Sequence, residues 1–218
     1  MVRSDQLNEE VLNWRQYLER LQKTGGNRFL AEDLKKIERA FEYACLAHRG
    51  QKRLSGEPYI NHVIGVSLDA AALKLDADTV SAALLHDTVE DNVATMRDIK
   101  KKFGDEVAFL VRGVTKVDKL KYHGAERAAE SMRRMFLAVA EDIRVVVLKL
   151  VDRLNNMKTL YALPSEEKQK RIAAETLEIY APLADRLGMG ELKNELEDLA
   201  FRYVYPQEYE WIKKEVRE

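Results

Sequence analysis

Apolar residues recur at intervals of three and four along most of the chain, the spacing that places side chains on one face of an α-helix. Residues 5–22 show it with Leu7, Val11, Trp14 and Leu18 in register. Further segments with this spacing cover about residues 30–49, 58–75, 77–91, 95–104, 105–117, 127–140, 142–163, 165–187, 191–205 and 206–218. The pattern predicts an all-α fold with about ten helices.

Capping residues separate several of these segments. Asp76 or Asp78 can cap the helix that follows it, and Thr95 with Asp98 has the spacing of a capping box. Ser165 can cap the helix after Pro164. Residues 118–126 lack a clear period and predict a loop.

One apolar run has a second interpretation. Residues 145–148, Val-Val-Val-Leu, would suit a buried strand on β-propensity alone. The helical spacing continues through Leu150, Leu154 and Met157, and no second strand is predicted to pair with it. We therefore predict a helix there.

Composition narrows the class of protein. The 218 residues include 36 Lys and Arg against 37 Asp and Glu, so the net charge of -1 gives no general reason to expect nucleic-acid or anionic-membrane binding. Hydrophobic residues make up 46% and charged residues 33%, as in soluble globular proteins. The single Cys45 excludes an internal disulfide, and neither a signal peptide nor a membrane-spanning run is seen, so a cytoplasmic location is expected.

The predicted domain organisation has three parts. Residues 1–29 form an N-terminal helix, 30–190 form the main domain, and 191–218 form a helical extension. The weakest seam is the break between Gly188 and Gly190.

Candidate chemistry is concentrated in residues 81–92. An apolar helical turn there ends in His86, Asp87, Glu90 and Asp91, which form two i,i+4 pairs on one arc of about 100°. Clustered carboxylates repel one another unless a cation lies among them. The segment therefore indicates a metal site, although a histidine alone would more simply be a hydrogen-bonded core residue.

Asp152 is the second unusual feature, because it interrupts the most apolar helix in the chain. Asn155, Asn156 and Thr159 follow it on the same helical face. Burying an aspartate costs several kcal/mol unless it is paired or binds a metal. A salt bridge to Arg153 or Arg144 is the structural alternative, but one bridge would not explain the whole polar face.

Together with His62, these residues match a known order of ligands. His62, the pair His86 and Asp87, and Asp152 resemble the H…HD…D signature of HD metal-dependent phosphohydrolases. The surrounding residues resemble the hydrolase domain of the Rel/SpoT family, which makes and degrades guanosine tetra- and pentaphosphate, (p)ppGpp. The similarity spans about residues 30–205 and rests on residues 47–51, 56–60, 85–91, 114–116, 152–154 and 178–184.

The resemblance implies an all-helical HD domain that binds one Mn²⁺ through His62, His86, Asp87 and Asp152. Imidazole and carboxylate without thiolate suit Mn or Fe. The resemblance also implies that Glu90 and Asp91 are a catalytic pair that orients or deprotonates water. The implied reaction is hydrolysis of the 3′-pyrophosphate of (p)ppGpp to GDP or GTP and pyrophosphate.

The same resemblance implies a nucleotide-binding surface. Two cations, Lys52 and Arg53, lie in a polar loop and can meet phosphate, and a guanidinium can also stack on a base. The remaining implied contacts are Ser55 in that loop and Asn156, Thr159 and Leu163 on the opposite wall.

Two positions depart from the family pattern. Leu54 stands where a basic residue is common, which weakens the expected phosphate contact, and Asn155 stands where histidine is common. Family members usually continue into a synthetase domain, so the chain is expected to be followed by one. Two alternatives remain open: an HD phosphohydrolase for another nucleotide, or a nucleotide-binding regulatory domain without catalysis.

Overall fold

The computed structural model describes residues 12–91, 93–118, 133 and 141–216. These residues form helices, turns and one isolated β-bridge, which confirms the predicted all-α class. The helices are α1 (Trp14–Gly25), α2 (Ala31–Ala47), α3 (Ile60–Ala72), α4 (Ala77–Glu90), α5 (Met96–Phe103), α6 (Asp105–Asp118), α7 (Ile143–Lys158), α8 (Glu166–Glu175), α9 (Ala181–Arg186), α10 (Gly190–Val204) and α11 (Pro206–Glu215).

Side-chain caps fix the starts of several helices. Asp76 accepts a hydrogen bond from the Thr79 amide at the start of α4, so Asp76 rather than Asp78 is the cap. The predicted capping box of Thr95 and Asp98 is present in α5. Ser165 caps α8, also as predicted. These caps satisfy amide groups that have no partner within the helix.

The sequence pattern was wrong about the start of the first helix. A capping box between Asn13 and Gln16 begins α1 at Trp14, whereas apolar spacing predicted one helix over residues 5–22. The backbone of Asn13 is extended, so α1 begins after it although the apolar period runs across it. Residues 1–11 lie outside the described residues, as do most of the predicted loop 118–126 and most of the predicted helix 127–140.

Contacts divide the described residues into two units, with the boundary between Leu148 and Lys149 inside α7. The first unit is organised around α4, which packs against α2, α3 and α6. In the same unit α1 packs on α3, and α5 packs on α6. Because α4 is covered on several sides, every residue from Ala77 to Thr88 except Asp78 is buried. The polar residues at the end of α4 are therefore carried into the interior.

The run 145–148 is helical, which confirms the prediction of a helix over the strand alternative. A Cβ added at Gly113 of α6 would lie 2.6 Å from Cγ2 of Val145. Glycine at this position therefore permits α6 to approach the start of α7 closely.

In the second unit, α10 packs against α8 and α9, and α11 packs on α10. The predicted helix 165–187 is divided by a π-helical turn at Thr176–Tyr180. Thr176 Oγ1 donates to the Ile172 carbonyl at 2.8 Å and lies 3.4 Å from the Met157 sulfur. Apolar spacing does not reveal such an insertion, because one extra residue in a single turn leaves the helical spacing on each side of that turn unchanged.

None of the described helices is both long and apolar enough to cross a membrane. The predicted three-part division of the chain stays a prediction.

Arg144, at the start of α7, joins three segments of the first unit. Its guanidinium pairs with Asp142 at 2.6 Å, with Asp76 at 2.8 Å, and with Glu106 of α6. The hydrogen bond from Arg144 lowers the pKa of Asp142 below its usual value. Networks of this kind contribute more than isolated surface pairs, because one ordered side chain serves several partners.

We expect Arg144→Met to lower the free energy of unfolding by about 1–2 kcal/mol at pH 7, because three carboxylates lose a shared cation. A depressed carboxyl pKa stabilises the fold above the unfolded value of about 4 and loses that effect as pH falls through the folded value. The loss caused by the substitution should therefore shrink between pH 5 and pH 3. Urea denaturation across this range measures both effects.

Arg112→Met is the matched control, since Arg112 is exposed on α6. It removes the same charge and should change stability by less than about 0.5 kcal/mol. An equal loss in both variants would contradict the role assigned to Arg144.

Candidate metal centre

Two helices bring three of the predicted ligands together. His62 lies in the first turn of α3, and His86 and Asp87 lie in the last turns of α4. Ligand atoms of the three residues lie within 4.8 Å of one another. All three are buried, with exposures of 4%, 3% and 8% in that order. The interior of the first unit therefore holds a His-His-Asp group whose ligand atoms are close enough together to bind one metal ion.

The hydrogen bonding of His86 sets the chemistry of this group. Its Nδ1 lies 2.8 Å from the Ala83 carbonyl oxygen, which can only accept, so Nδ1 carries the proton. In a neutral ring, Nε2 then presents a lone pair, and it lies 3.2 Å from Asp87 Oδ1. Two lone pairs at this distance repel each other unless a proton or a cation is shared between them.

The other carboxylate oxygen of Asp87 faces the second imidazole. His62 Nε2 lies 3.4 Å from Asp87 Oδ2, and the two imidazole rings are 5.5 Å apart. One buried carboxylate is thus placed between two imidazoles, with one oxygen toward each. This donor set fits a divalent cation, and the backbone contact of His86 is the usual way in which a ligand imidazole is oriented.

Tyr59 belongs to the same site, although no role was predicted for it from the sequence. Its hydroxyl donates to Asp87 Oδ2 at 2.8 Å. Burial, followed by the negative charge of Asp87, raises the pKa of Tyr59, so the hydroxyl stays protonated and remains a donor. The available signal was the spacing of three between Tyr59 and His62, which places both on one face of the helix start.

Glu90 and Asp91 follow the ligands at the end of α4 and are exposed. The carboxylates of this pair can therefore reach water or a bound molecule, as their proposed role requires. Partial burial, followed by the negative charge of Asp87, raises the pKa of Asp91, while His48 opposes that change. A carboxylate with a raised pKa is a stronger base than an ordinary aspartate.

The predicted polar loop between α2 and α3 is an ordered turn. Its ends meet in a bridge between Lys52 and Pro58, and the Arg53 amide donates to the Glu57 carbonyl at 2.9 Å. Gly56 has φ +90°, a conformation that glycine adopts without strain.

Within this turn the predicted nucleotide contacts have different exposures. Lys52 is exposed, and Arg53 and Ser55 are half-buried. The Arg53 guanidinium carbon lies 6.0 Å from the centre of the Tyr59 ring. Leu54, at 70% exposure, presents an apolar side chain to solvent.

Asp152 lies in the second unit, where its carboxylate is buried and hydrogen-bonded at both oxygens. Lys149 Nζ lies 2.7 Å from Oδ2, and Asn156 Nδ2 donates to Oδ1 at 2.7 Å. The ion pair is with Lys149, one helical turn earlier, and was not among the alternatives weighed from the sequence. Arg144 pairs with the three carboxylates described above, and Arg153 donates to Tyr180 Oη at 2.7 Å and pairs with Glu175. The assignment of Asp152 as a metal ligand stays a prediction.

The other predicted contacts of the second unit lie around the end of α7. Asn156 and Thr159 are half-buried there, and Leu163 follows the 3-10 turn Leu160–Ala162 and is also half-buried. Their predicted contact with a nucleotide stays a prediction.

The sequence and this geometry agree with a known family. A family model described as an HD domain matches residues 40–190 of the chain. The chain belongs to the HD-domain family, in its Rel/SpoT branch. The structure of a metazoan ortholog of SpoT, described as hydrolysing ppGpp and acting in starvation responses, is similar to it at a TM-score of 0.59. It is 32% identical, and the match covers 77% of this chain and 94% of that one.

Bacterial relatives are more similar in sequence but much longer. The chain is 55% identical over 182 residues to a guanosine-3′,5′-bis(diphosphate) 3′-pyrophosphohydrolase of Aquifex aeolicus, covering 84% of this chain and 26% of the relative. It is 50% identical over 191 residues to the bifunctional (p)ppGpp synthase/hydrolase SpoT of Escherichia coli, covering 87% and 27%. The chain thus spans about a quarter of the length of these curated relatives.

We expect Asp87→Asn to reduce the affinity of the HD domain for Mn²⁺ at least 100-fold, because the substitution removes the only charge of the His-His-Asp group. Isothermal titration calorimetry with MnCl₂ measures the change, and metal analysis after dialysis checks it. Asp78→Asn, a carboxylate in the first turn of the same helix, is the matched control and should bind Mn²⁺ normally. Unchanged affinity in the Asp87 variant would contradict this metal site.

Proposed function

We propose that this HD domain hydrolyses the 3′-pyrophosphate of (p)ppGpp, giving GDP or GTP and pyrophosphate, with one Mn²⁺ at the active site. The observation that carries the proposal is the buried group of His62, His86 and Asp87 beside the exposed pair Glu90 and Asp91. Relatives named for this reaction, at 50–55% identity, support it. The single cysteine and a guanine-nucleotide substrate support a cytoplasmic location as part of the same proposal.

The proposed ligands are His62, His86, Asp87 and Asp152. The first three are supported by their mutual distances. Asp152 rests on the sequence resemblance and on the burial of its carboxylate. When bound, the metal supplies a lower pKa for water and neutralises charge on a phosphoryl group. Imidazole and carboxylate donors without thiolate support Mn²⁺, as they would Fe²⁺.

The carboxylates at the end of α4 carry out the proton transfers of the proposed reaction. A water oxygen forms a bond to the phosphorus that is attached to the ribose 3′-oxygen, and the bond between that phosphorus and the 3′-oxygen breaks. Asp91, whose pKa is raised, accepts the proton that the water loses, together with Glu90. The leaving 3′-oxygen takes the bonding electron pair and the proton that the carboxylate received from the water, so pyrophosphate and GDP or GTP are released.

Substrate binding is assigned to the turn between α2 and α3 and to the end of α7. Lys52 and Arg53 supply positive charge for the phosphates, and the planar guanidinium of Arg53 can also stack on guanine. Ser55, Asn156, Thr159 and Leu163 complete the proposed contacts. In the full-length protein we propose that a synthetase domain follows, as the name of the bifunctional relative supports.

The exposed apolar Leu54 favours one second candidate, an HD phosphohydrolase for another nucleotide. Comparing rates on ppGpp, deoxynucleotides and cyclic nucleotides separates the two. Faster turnover of a deoxynucleotide or a cyclic nucleotide would displace the (p)ppGpp proposal. A regulatory domain without catalysis is less favoured, because Glu90 and Asp91 are present. Tight ppGpp binding without turnover in Mn²⁺, Fe²⁺ or Zn²⁺ would support that alternative.

Glu90→Gln and Asp91→Asn should each lower kcat for ppGpp at least 100-fold, because each removes a proton acceptor. The Kd for Mn²⁺ should change less than about threefold, since neither residue is a proposed ligand. Release of pyrophosphate with Mn²⁺ present measures the rate, and calorimetry measures the metal. Asp78→Asn again serves as the control with normal kcat. Asp152→Ala should lose both activity and metal affinity, and normal values for both would remove it from the ligand set.

Leu54→Lys should lower KM for ppGpp about two- to fivefold with little change in kcat, because it adds a cation to the turn that carries Lys52 and Arg53. The gain should weaken at high salt. Leu54→Gln removes the apolar side chain without adding charge. It therefore separates the effect of the added charge from the effect of losing the apolar side chain. The same KM in both variants would mean that charge at this position does not contact the substrate.

A further inference from the structure

His48 is a buried histidine to which the proposed reaction gives no direct role, although its Nδ1 lies 3.9 Å from Asp91 Oδ2. It follows the last residue of α2 and is only 2% exposed. Its Nδ1 donates to Gln51 Oε1 at 2.7 Å, and its backbone carbonyl accepts from the Gln51 amide at 3.0 Å. It is neither a proposed metal ligand nor a member of the catalytic pair.

The imidazole of His48 supports the ring of Tyr59. The two rings are stacked, with centres 4.8 Å apart and planes inclined by 25°. Gln51 joins the same two residues through the backbone, because its carbonyl accepts from the Tyr59 amide at 3.0 Å. Stacked aromatic pairs stabilise each other beyond the effect of the area they bury, which is enough to favour one side-chain orientation severalfold.

Tyr59 transmits that orientation to the metal centre. Its hydroxyl donates to Asp87 Oδ2 at 2.8 Å, the oxygen that also faces His62. The edge of its ring packs against the His62 ring, with centres 5.8 Å apart and planes at 81°. A shift of the Tyr59 ring would therefore disturb two of the proposed ligands at once.

Packing alone does not account for a histidine at position 48. Its Nε2 is buried and has no protein hydrogen-bond partner among the residues that the structure describes. An apolar side chain of similar size would fill the space without burying that atom. The face of the ring, by contrast, stacks on the Tyr59 ring.

Building on the proposed function, we propose that His48 is a positioning residue that holds Tyr59 so that its hydroxyl orients the Asp87 carboxylate for the metal. The effect passes through the stacked ring and the tyrosine hydroxyl. Residues that orient a metal ligand typically change metal affinity or activity 10- to 100-fold when removed.

Four variants test this path: His48→Leu, which fills the volume without an aromatic face; His48→Phe, which keeps the face; Tyr59→Phe, which removes only the hydroxyl; and the double variant His48→Leu with Tyr59→Phe. Calorimetry gives the Kd for Mn²⁺, and the ppGpp assay gives kcat and KM. Thermal unfolding and circular dichroism confirm that each variant is folded.

His48→Leu and Tyr59→Phe should each weaken Mn²⁺ binding and lower kcat about 10-fold, with KM nearly unchanged. The double variant should bind Mn²⁺ as tightly, and have the same kcat, as whichever single variant loses more, because both changes remove the same contact. His48→Phe should restore most of the metal affinity. A purely structural histidine would lower the unfolding temperature and leave metal affinity and kcat unchanged.

Normal Mn²⁺ affinity in His48→Leu would overturn the proposal. Equal losses in His48→Leu and His48→Phe, or losses that multiply in the double variant, would overturn the path through Tyr59. The metal measurements do not depend on the substrate. If the wild-type protein binds Mn²⁺ but does not hydrolyse ppGpp, the proposed function fails, while the calorimetric comparison still decides the role of His48.

Discussion

A buried carboxylate between two imidazoles is the constraint that the helices of the first unit must accommodate. Asp87 is 8% exposed, and His62 and His86 lie within 3.4 Å of its two oxygens. Burying such a charge is costly without a cation, and the lone pair on His86 Nε2 adds to that cost unless the ring is protonated or shares a metal with the carboxylate. The group is thus suited to an ion and poorly suited to stabilising the fold without one.

The architecture provides the conditions that this group needs. Helix α4 is covered by α2, α3 and α6, so its final turns place His86 and Asp87 in the buried interior. The helix then ends, and Glu90 and Asp91 emerge at the surface. One helix end therefore supplies buried donors for a cation and, a turn later, carboxylates that water can reach. At its other end, α4 is held by the Asp76 cap and by the ion pair between Asp76 and Arg144.

Around the metal centre, orientation depends on neutral contacts more than on charge. The Ala83 carbonyl fixes the tautomer of His86, and the Tyr59 hydroxyl binds the carboxylate of Asp87. The turn that carries Lys52 and Arg53 closes on the backbone of Gln51 and Tyr59. The segment assigned to the phosphates and the contact that orients a ligand are consequently parts of one short stretch of chain.

Local features of the sequence were sufficient to predict most helices. The caps at Asp76, Thr95 and Ser165 act within three residues of their partners, and apolar spacing identified α7 as a helix despite its valines. The failures have physical causes. The Asn13 capping box interrupts an apolar period, and the π-helical turn at Thr176–Tyr180 preserves the period on either side.

By itself the sequence determined the helical class, the pairing of His86 with Asp87 on one arc, and the carboxylates one turn later, because these follow from spacing within a single helix. The resemblance predicted that His62 joins this pair. Only the tertiary structure decided that His62 lies 3.4 Å from Asp87, that Tyr59 donates to Asp87, that His48 stacks on Tyr59, and that Lys149 pairs with Asp152. The first three join residues from different segments, whose approach depends on how helices pack. The last depends on rotamers within one helix, since a lysine three residues away can turn to solvent or inward.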